Sequence, residues 1–204
     1  MAALVTSEHH AAHTAPDGPP GRLGTRFLGG WGRLLRRQRA ALVVGNLLWL
    51  GPIAAGCALG DRLDFGVRPR TVPAGGDLWW SIVGTNAGVA LLAFAGVLTF
   101  GLATIAFSLV SGLLTGLGIA QATAVAGWGD LARHVLPHAW LELPAIGIAV
   151  GAGVVPLIAA ARWLAGRGGA RPSLRDVLGD AFGLLGTSLF LLLIAATIET
   201  WVST

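Results

Sequence analysis

The sequence predicts an all-α integral membrane protein, a helix bundle with about five transmembrane helices, its N-terminus in and its C-terminus out. Three observations carry this reading. Apolar residues make up 54% of the chain and charged residues only 12%, a balance that leaves too little polar surface for a soluble domain of this size. The apolar residues fall in unbroken runs of about 20 or more, the length that crosses the hydrocarbon core as a helix. The arginines collect in alternate connections, as the positive-inside rule requires of a multi-pass chain. The net charge of +4 comes from arginines beside hydrophobic spans, so it signals orientation and is no sign of a nucleic-acid partner, and none is expected. Cys57 is the lone cysteine and can form neither an intrachain disulfide nor a cysteine-based metal site.

Residues 1-21 carry His9, His10, His13, Asp17 and Pro19-Pro20 with no hydrophobic centre, and they read as a solvated, disordered cytoplasmic tail rather than a signal peptide. Residues 22-39 hold Arg22, Arg26, Arg33, Arg36, Arg37 and Arg39 without an acidic residue, with Trp31, Leu34 and Leu35 as an apolar face. This is a basic amphipathic segment for the anionic membrane surface. The transmembrane bundle is expected over 40-204, its first span at about 40-60.

The next apolar block, Ile82 to Gly127, contains no charge at all. As one helix it would be roughly 70 Å long, about twice the hydrocarbon thickness. It is therefore expected to reverse, giving spans at about 84-103 and 106-126. The reversal is placed between Gly101 and Gly112, where Thr104, Ser108 and Ser111 loosen the apolar pattern. A fourth span is expected at about 135-164 and a fifth at about 181-201, with Pro172-Ser173 opening a short lead-in helix before the fifth. Small residues four apart, Gly56/Gly60, Gly112/Gly116 and Gly147/Gly151, permit close helix contact, chiefly within the bundle and otherwise in a homo-oligomer.

Arginine counts orient these spans. The N-terminal approach is strongly basic, and the connection from Ala165 to Asp180 holds Arg167, Arg171 and Arg175, so both belong inside. The loop Asp61 to Ser81 balances its arginines with Asp61, Asp64 and Asp77, and Trp128 to His134 sets Arg133 against Asp130, so both belong outside. Trp79, Trp80, Trp128, Trp140 and Trp201 then mark the outer interface, and Trp31 and Trp163 the inner one.

With this topology Asn86, Gln121, His138, Glu142 and Glu199 all share the outer half of the membrane. A carboxylate at membrane depth costs roughly 2.5 kcal/mol or more, so Glu142 and Glu199 need a partner or a task. His138 and Glu142 are four residues apart and project from one helix face. Pro144 cannot donate to the carbonyl of Trp140, which leaves that oxygen available in the same neighbourhood.

The segment Pro137, His138, Glu142, Leu143, Ala145 opens a helix. With Ala195, Ala196 and Glu199 near the C-terminus and Asn86 at the start of a span, it resembles the pattern of the stage II sporulation protein M family over roughly residues 40 to 204. The chain departs from that pattern at Ser111-Gly112, where Asn-Gly is common, and at its end, Val202-Ser203-Thr204, where a proline is common. The resemblance implies a multi-pass protein of the bacterial cytoplasmic membrane. Such a protein organises membrane or extracytoplasmic partners in cell-wall processing, or belongs to the maturation of, or immunity to, circular bacteriocins. It brings no established chemistry.

Three readings of the polar residues stand open. Asn86, His138, Glu142 and Glu199 satisfy one another across helices in a scaffold. Alternatively His138, Glu142 and Glu199, with Asn86 beside them, form a catalytic site for peptide processing, either holding a divalent metal such as zinc with an open water position or acting as an acid and base. HxxxE lacks the second histidine of the HExxH pattern. The third reading is an ion-coupled carrier or immunity factor, which also uses buried carboxylates but here shows no clear internal repeat. No phosphate loop, Ser-His-Asp pattern or nucleotide fingerprint is present.

The arginine asymmetry has a direct test. A reporter enzyme fused after Thr204 is expected to be active only as an extracytoplasmic fusion, and cytoplasmic activity would mean an even number of spans.

Overall fold

The computed structural model describes residues 22–60, 76–167 and 172–202. The tail expected over 1-21 and most of the loop between the first two spans, 61–75, lie outside the described residues. Among the described residues all regular structure is helical: α1 (Arg22–Arg37), α2 (Arg39–Gly60), α3 (Gly76–Phe94), a 3-10 turn (Ala95–Thr99), α4 (Leu102–Leu164) and α5 (Leu174–Val202). Five stretches are long and apolar enough to cross a membrane: Arg39–Gly60, Asp77–Thr99, Leu102–Gly129, Pro137–Leu164 and Leu174–Trp201. The chain divides into two units, Met1–Arg33 and Leu34–Thr204. The described part of the first is a strongly amphipathic stretch of α1, and the bundle is the second.

α4 is a hairpin of two arms. Gly127 interrupts it with φ 81° and ψ 156°, a conformation open to glycine and almost nothing else. Packing against α2 shows the arms running in opposite directions. Gly45 of α2 lies against Gly147 and Gly151 of the second arm and Ala41 against Gly151, whereas Gly56 lies against Leu113 and Gly116 of the first arm and Gly60 against Ala120. α2 is thus parallel to the first arm and antiparallel to the second.

The reversal between the second and third spans lies at the N-terminal edge of the stretch expected from sequence. Phe100 (φ 51°) and Gly101 (φ 87°) are both left-handed, and the Gly101 amide donates to the Gly96 carbonyl at 2.7 Å, which ends the helical ladder. Thr104, Ser108 and Gly112 do not break the chain. Thr104 Oγ1 donates to the Ala93 carbonyl at 2.6 Å, and Gly112 faces Pro52 and the Trp49 carbonyl. In a span, small and hydroxylated residues mark helix contacts as readily as they mark ends.

The second arm of α4 is the central helix. Its most apolar window is 61% buried, against 22–44% for the other spans. One core cluster gathers Trp49, Ile53, Ala90, Ala93, Ala145 and Ile146, and another Ala41, Ala152, Val155, Ala181 and Leu184. Ser188 of α5 donates to the Ala145 carbonyl at 2.7 Å. Each glycine pair named above is used inside the bundle, where a methyl group on Gly56 would overlap the Leu113 carbonyl and one on Gly116 the Ile53 carbonyl.

The antiparallel spans give the bundle two chemically distinct ends. At the arginine end, the joint between α1 and α2 is fastened to α5: Gln38 Nε2 donates to Asp180 Oδ2 at 2.6 Å, and Arg37 pairs with Oδ1 of the same carboxylate. Asp180 is buried because α5 begins at Leu174 and runs unbroken, so the expected lead-in helix and the fifth span are one element. The opposite end carries Trp80, Trp128, Trp140 and Trp201, all largely exposed, and Trp79, which reaches Thr197 Oγ1 at 3.4 Å.

Gly116 and Gly118 test the packing argument as a pair. Nothing lies within 4 Å of a Cβ built on Gly118, whereas one on Gly116 meets the α2 backbone. Gly116→Leu is expected to cost at least the ~1–3 kcal/mol typical of overpacking, read as a lowered melting temperature in detergent. Gly118→Leu is expected to leave it unchanged.

Candidate functional site

The second arm of α4 enters the bundle at Pro137, and its first turns present His138 and Glu142 on one face. One helical turn separates them, and Nε2 of His138 lies 3.9 Å from Oε2 of Glu142. α5 approaches antiparallel, so its last turns meet the first turns of this arm. Glu199 there places Oε2 at 4.0 Å from His138 Nε2. α3 supplies Asn86, which is buried and hydrogen-bonds the Glu142 carboxyl. The structure thus brings His138, Glu142, Glu199 and Asn86 together from three helices at the tryptophan end. Gln121 sits half-buried on the first arm.

Small residues make this convergence possible. Ala145, Ala195 and Ala196 are at most 1% exposed, and their short side chains let α5 lie close along the second arm. Pro144 has no amide hydrogen, so the regular bond to the Trp140 carbonyl is missing one turn above the site. The Trp140 indole donates to the Pro137 carbonyl at 2.9 Å.

The site is graded in depth. The His138 side chain is 10% exposed, that of Glu142 22% and that of Glu199 30%, so the imidazole is the most buried of the three and Glu199 the most accessible. One ligand atom from each of the three lies within 4.8 Å of the others, and no other such group of His, Cys, Asp and Glu is found among the described residues. Zinc bonds of ~2.0–2.2 Å place neighbouring tetrahedral ligands roughly 3.4 Å apart. The 3.9 and 4.0 Å separations therefore require only small side-chain movements to hold an ion.

Sequence reasoning passed over three polar residues that the structure employs. Asn46 donates to the Leu42 carbonyl of its own helix at 2.9 Å and fills the space over Gly147, so it serves the α2 contact. Gln38 and Asp180 form the fastening at the arginine end. The available signal was an aspartate one residue before an apolar run, in a connection whose other charges are three arginines and Asp176.

Comparison with curated proteins returned no match, and comparison with solved structures returned none either. The stage II sporulation protein M family model matches residues 46–204, a stretch that includes most of α2, all of α3, α4 and α5, and the four site residues. This chain of membrane-spanning helices belongs to the stage II sporulation protein M family.

Proposed function

We propose that the protein is a membrane-embedded organiser that assists peptide- or cell-wall-processing partners, with its arginine end in the cytoplasm and its tryptophan end outside. The partner would engage the polar mouth formed by His138, Glu142, Glu199 and Asn86. The observation that carries this reading is the convergence of two partly exposed glutamates on one buried histidine at a single end of the bundle. Carboxylates at membrane depth are costly. A purely structural cluster would be cheaper with amides, which keep the hydrogen bonds without the charge.

That difference supplies the experiment. Glu142→Gln preserves shape and the bond to Asn86, so the variant is expected to accumulate in the membrane with an unchanged melting temperature. It should nevertheless fail to restore peptide or cell-wall processing in a strain deleted for the gene. Full restoration would reduce the cluster to a packing role.

One observation favours a second reading, an intramembrane peptide-processing enzyme: three donor atoms within 4.8 Å of one another. Held by His138, Glu142 and Glu199, a zinc ion would keep a position for water and supply a nucleophile at neutral pH for leader cleavage of a hydrophobic precursor. Asn86 would orient Glu142. Elemental analysis of the purified full chain is expected to find about one zinc per molecule, as for a three-ligand site, and to lose it in His138→Ala/Glu199→Gln. A metal-free wild-type protein would leave the organiser reading standing and remove this one.

A further inference from the structure

At the arginine end, two cavities adjoin. One, of about 230 Å³, carries charged groups on a partly apolar wall: Arg37, Gln38, Arg162, Asp176 and Asp180 beside Val155 and Trp163. The other, of about 850 Å³, is apolar and is bounded by Leu98, Phe100, Pro156, Leu174 and Leu178. Ala159, Trp163, Pro172 and Val177 line both, so they form one amphipathic groove. Its apolar part runs along the 3-10 turn, the end of α4 and the start of α5, where Leu98, Phe100 and Leu174 are 65–86% exposed.

The charges in the polar part do not simply cancel. Asp180 is engaged by Arg37 and Gln38, which removes one cation and one anion as a pair. Arg162 and Asp176 remain. Arg162 spends one N–H on the Arg37 carbonyl, at a long 3.4 Å, and keeps its other donors. Asp176 accepts from Ser173 Oγ through Oδ2 at 2.7 Å, leaving Oδ1 for a second donor. Arg36, Arg39, Arg167 and Arg175 are exposed and do not line the cavity.

We propose that this groove binds a phospholipid whose headgroup carries both a phosphate and a primary ammonium group. The phosphate lies on Arg162, the ammonium on Asp176, and the acyl chains pass along Leu98, Phe100 and Leu174. Among the described residues, one charge of each sign is left beside the apolar channel, which matches a zwitterionic amine lipid better than a singly anionic one. A quaternary ammonium has no N–H to give Asp176. Free phosphate or phosphoethanolamine would leave the apolar channel unused, so the occupant is a lipid.

The test uses the purified full chain in nanodiscs of equal parts phosphatidylethanolamine, phosphatidylglycerol and phosphatidylcholine, with retained lipid read by native mass spectrometry. Phosphatidylethanolamine is expected to be retained about fivefold over each of the others, the worth of one charge contact at the membrane surface. Arg162→Gln should reduce retention of all three lipids and leave the preference for the amine lipid in place. Asp176→Asn keeps an acceptor for Ser173, and so should abolish only the preference for the amine lipid. Asp77→Asn, on α3 at the other end, should change nothing. Glycerophosphoethanolamine, which lacks acyl chains, should fail to displace the lipid. Equal retention by the wild type, preference for phosphatidylglycerol, displacement by the chainless headgroup, or an amine preference that survives Asp176→Asn would each overturn the assignment.

Discussion

Helices that meet inside a bilayer have no water to expel from between them, so the association must come from fit. Here the fit is made by backbone meeting backbone. α2 touches both arms of α4 through positions that carry no side chain or a methyl group: Gly45 against Gly147 and Gly151, Gly56 against Gly116, Gly60 against Ala120. Everything else in the bundle inherits its position from this contact. The second arm is fixed against α2, α5 packs on the far side of that arm, and the final turns of α5 bring Glu199 to His138. The price of a bundle built from small residues is that few large side chains lock it, and Trp49 is one of the few, at 2% exposed.

Polar chemistry is sorted to the two ends and differs in kind between them. At the arginine end opposite charges are paired directly, with Asp180 engaged by Arg37 and Gln38. At the tryptophan end two carboxylates meet around a histidine with an amide beside them. Asn86 hydrogen-bonds the Glu142 carboxyl, and the two carboxylates approach the imidazole at 3.9 and 4.0 Å, longer than a hydrogen bond. At the first end the buried carboxylate is neutralised by its own neighbours, while the second gathers an excess of acceptors.

Much of this was legible in the sequence, and the exceptions have physical causes. Span number follows from length and hydropathy, and the hairpin near Gly127 was foreshadowed by Asp130 and Arg133 interrupting an apolar run. The turn after α3 was less visible because a left-handed phenylalanine has no sequence signature, and the hydroxyl and glycine residues beyond it imitate a break while packing a helix. His138 and Glu142 declare themselves by their four-residue spacing. The approach of Glu199 and Asn86 depends on which helices are neighbours, which spacing does not encode, and was expected instead from their shared depth and the cost of lone carboxylates in a membrane. Asp180 was assigned to a connection because a charge next to an apolar stretch looks like an end, yet its burial is balanced by Gln38 and Arg37 from a segment that sequence places far away.

Pro144 has a mechanical consequence. Residues 145 to 155 of the second arm are almost wholly buried and behave as a stiff shaft gripped on several sides. Immediately outside that grip, the proline removes one rung of the helical ladder. The short tip bearing His138 and Glu142 is therefore joined to the shaft where one backbone hydrogen bond is missing. A tilt of that tip would alter the gap to Glu199 without disturbing the glycine contacts below, so the mouth could tighten on a small occupant or relax around a large one while the rest of the bundle stays still.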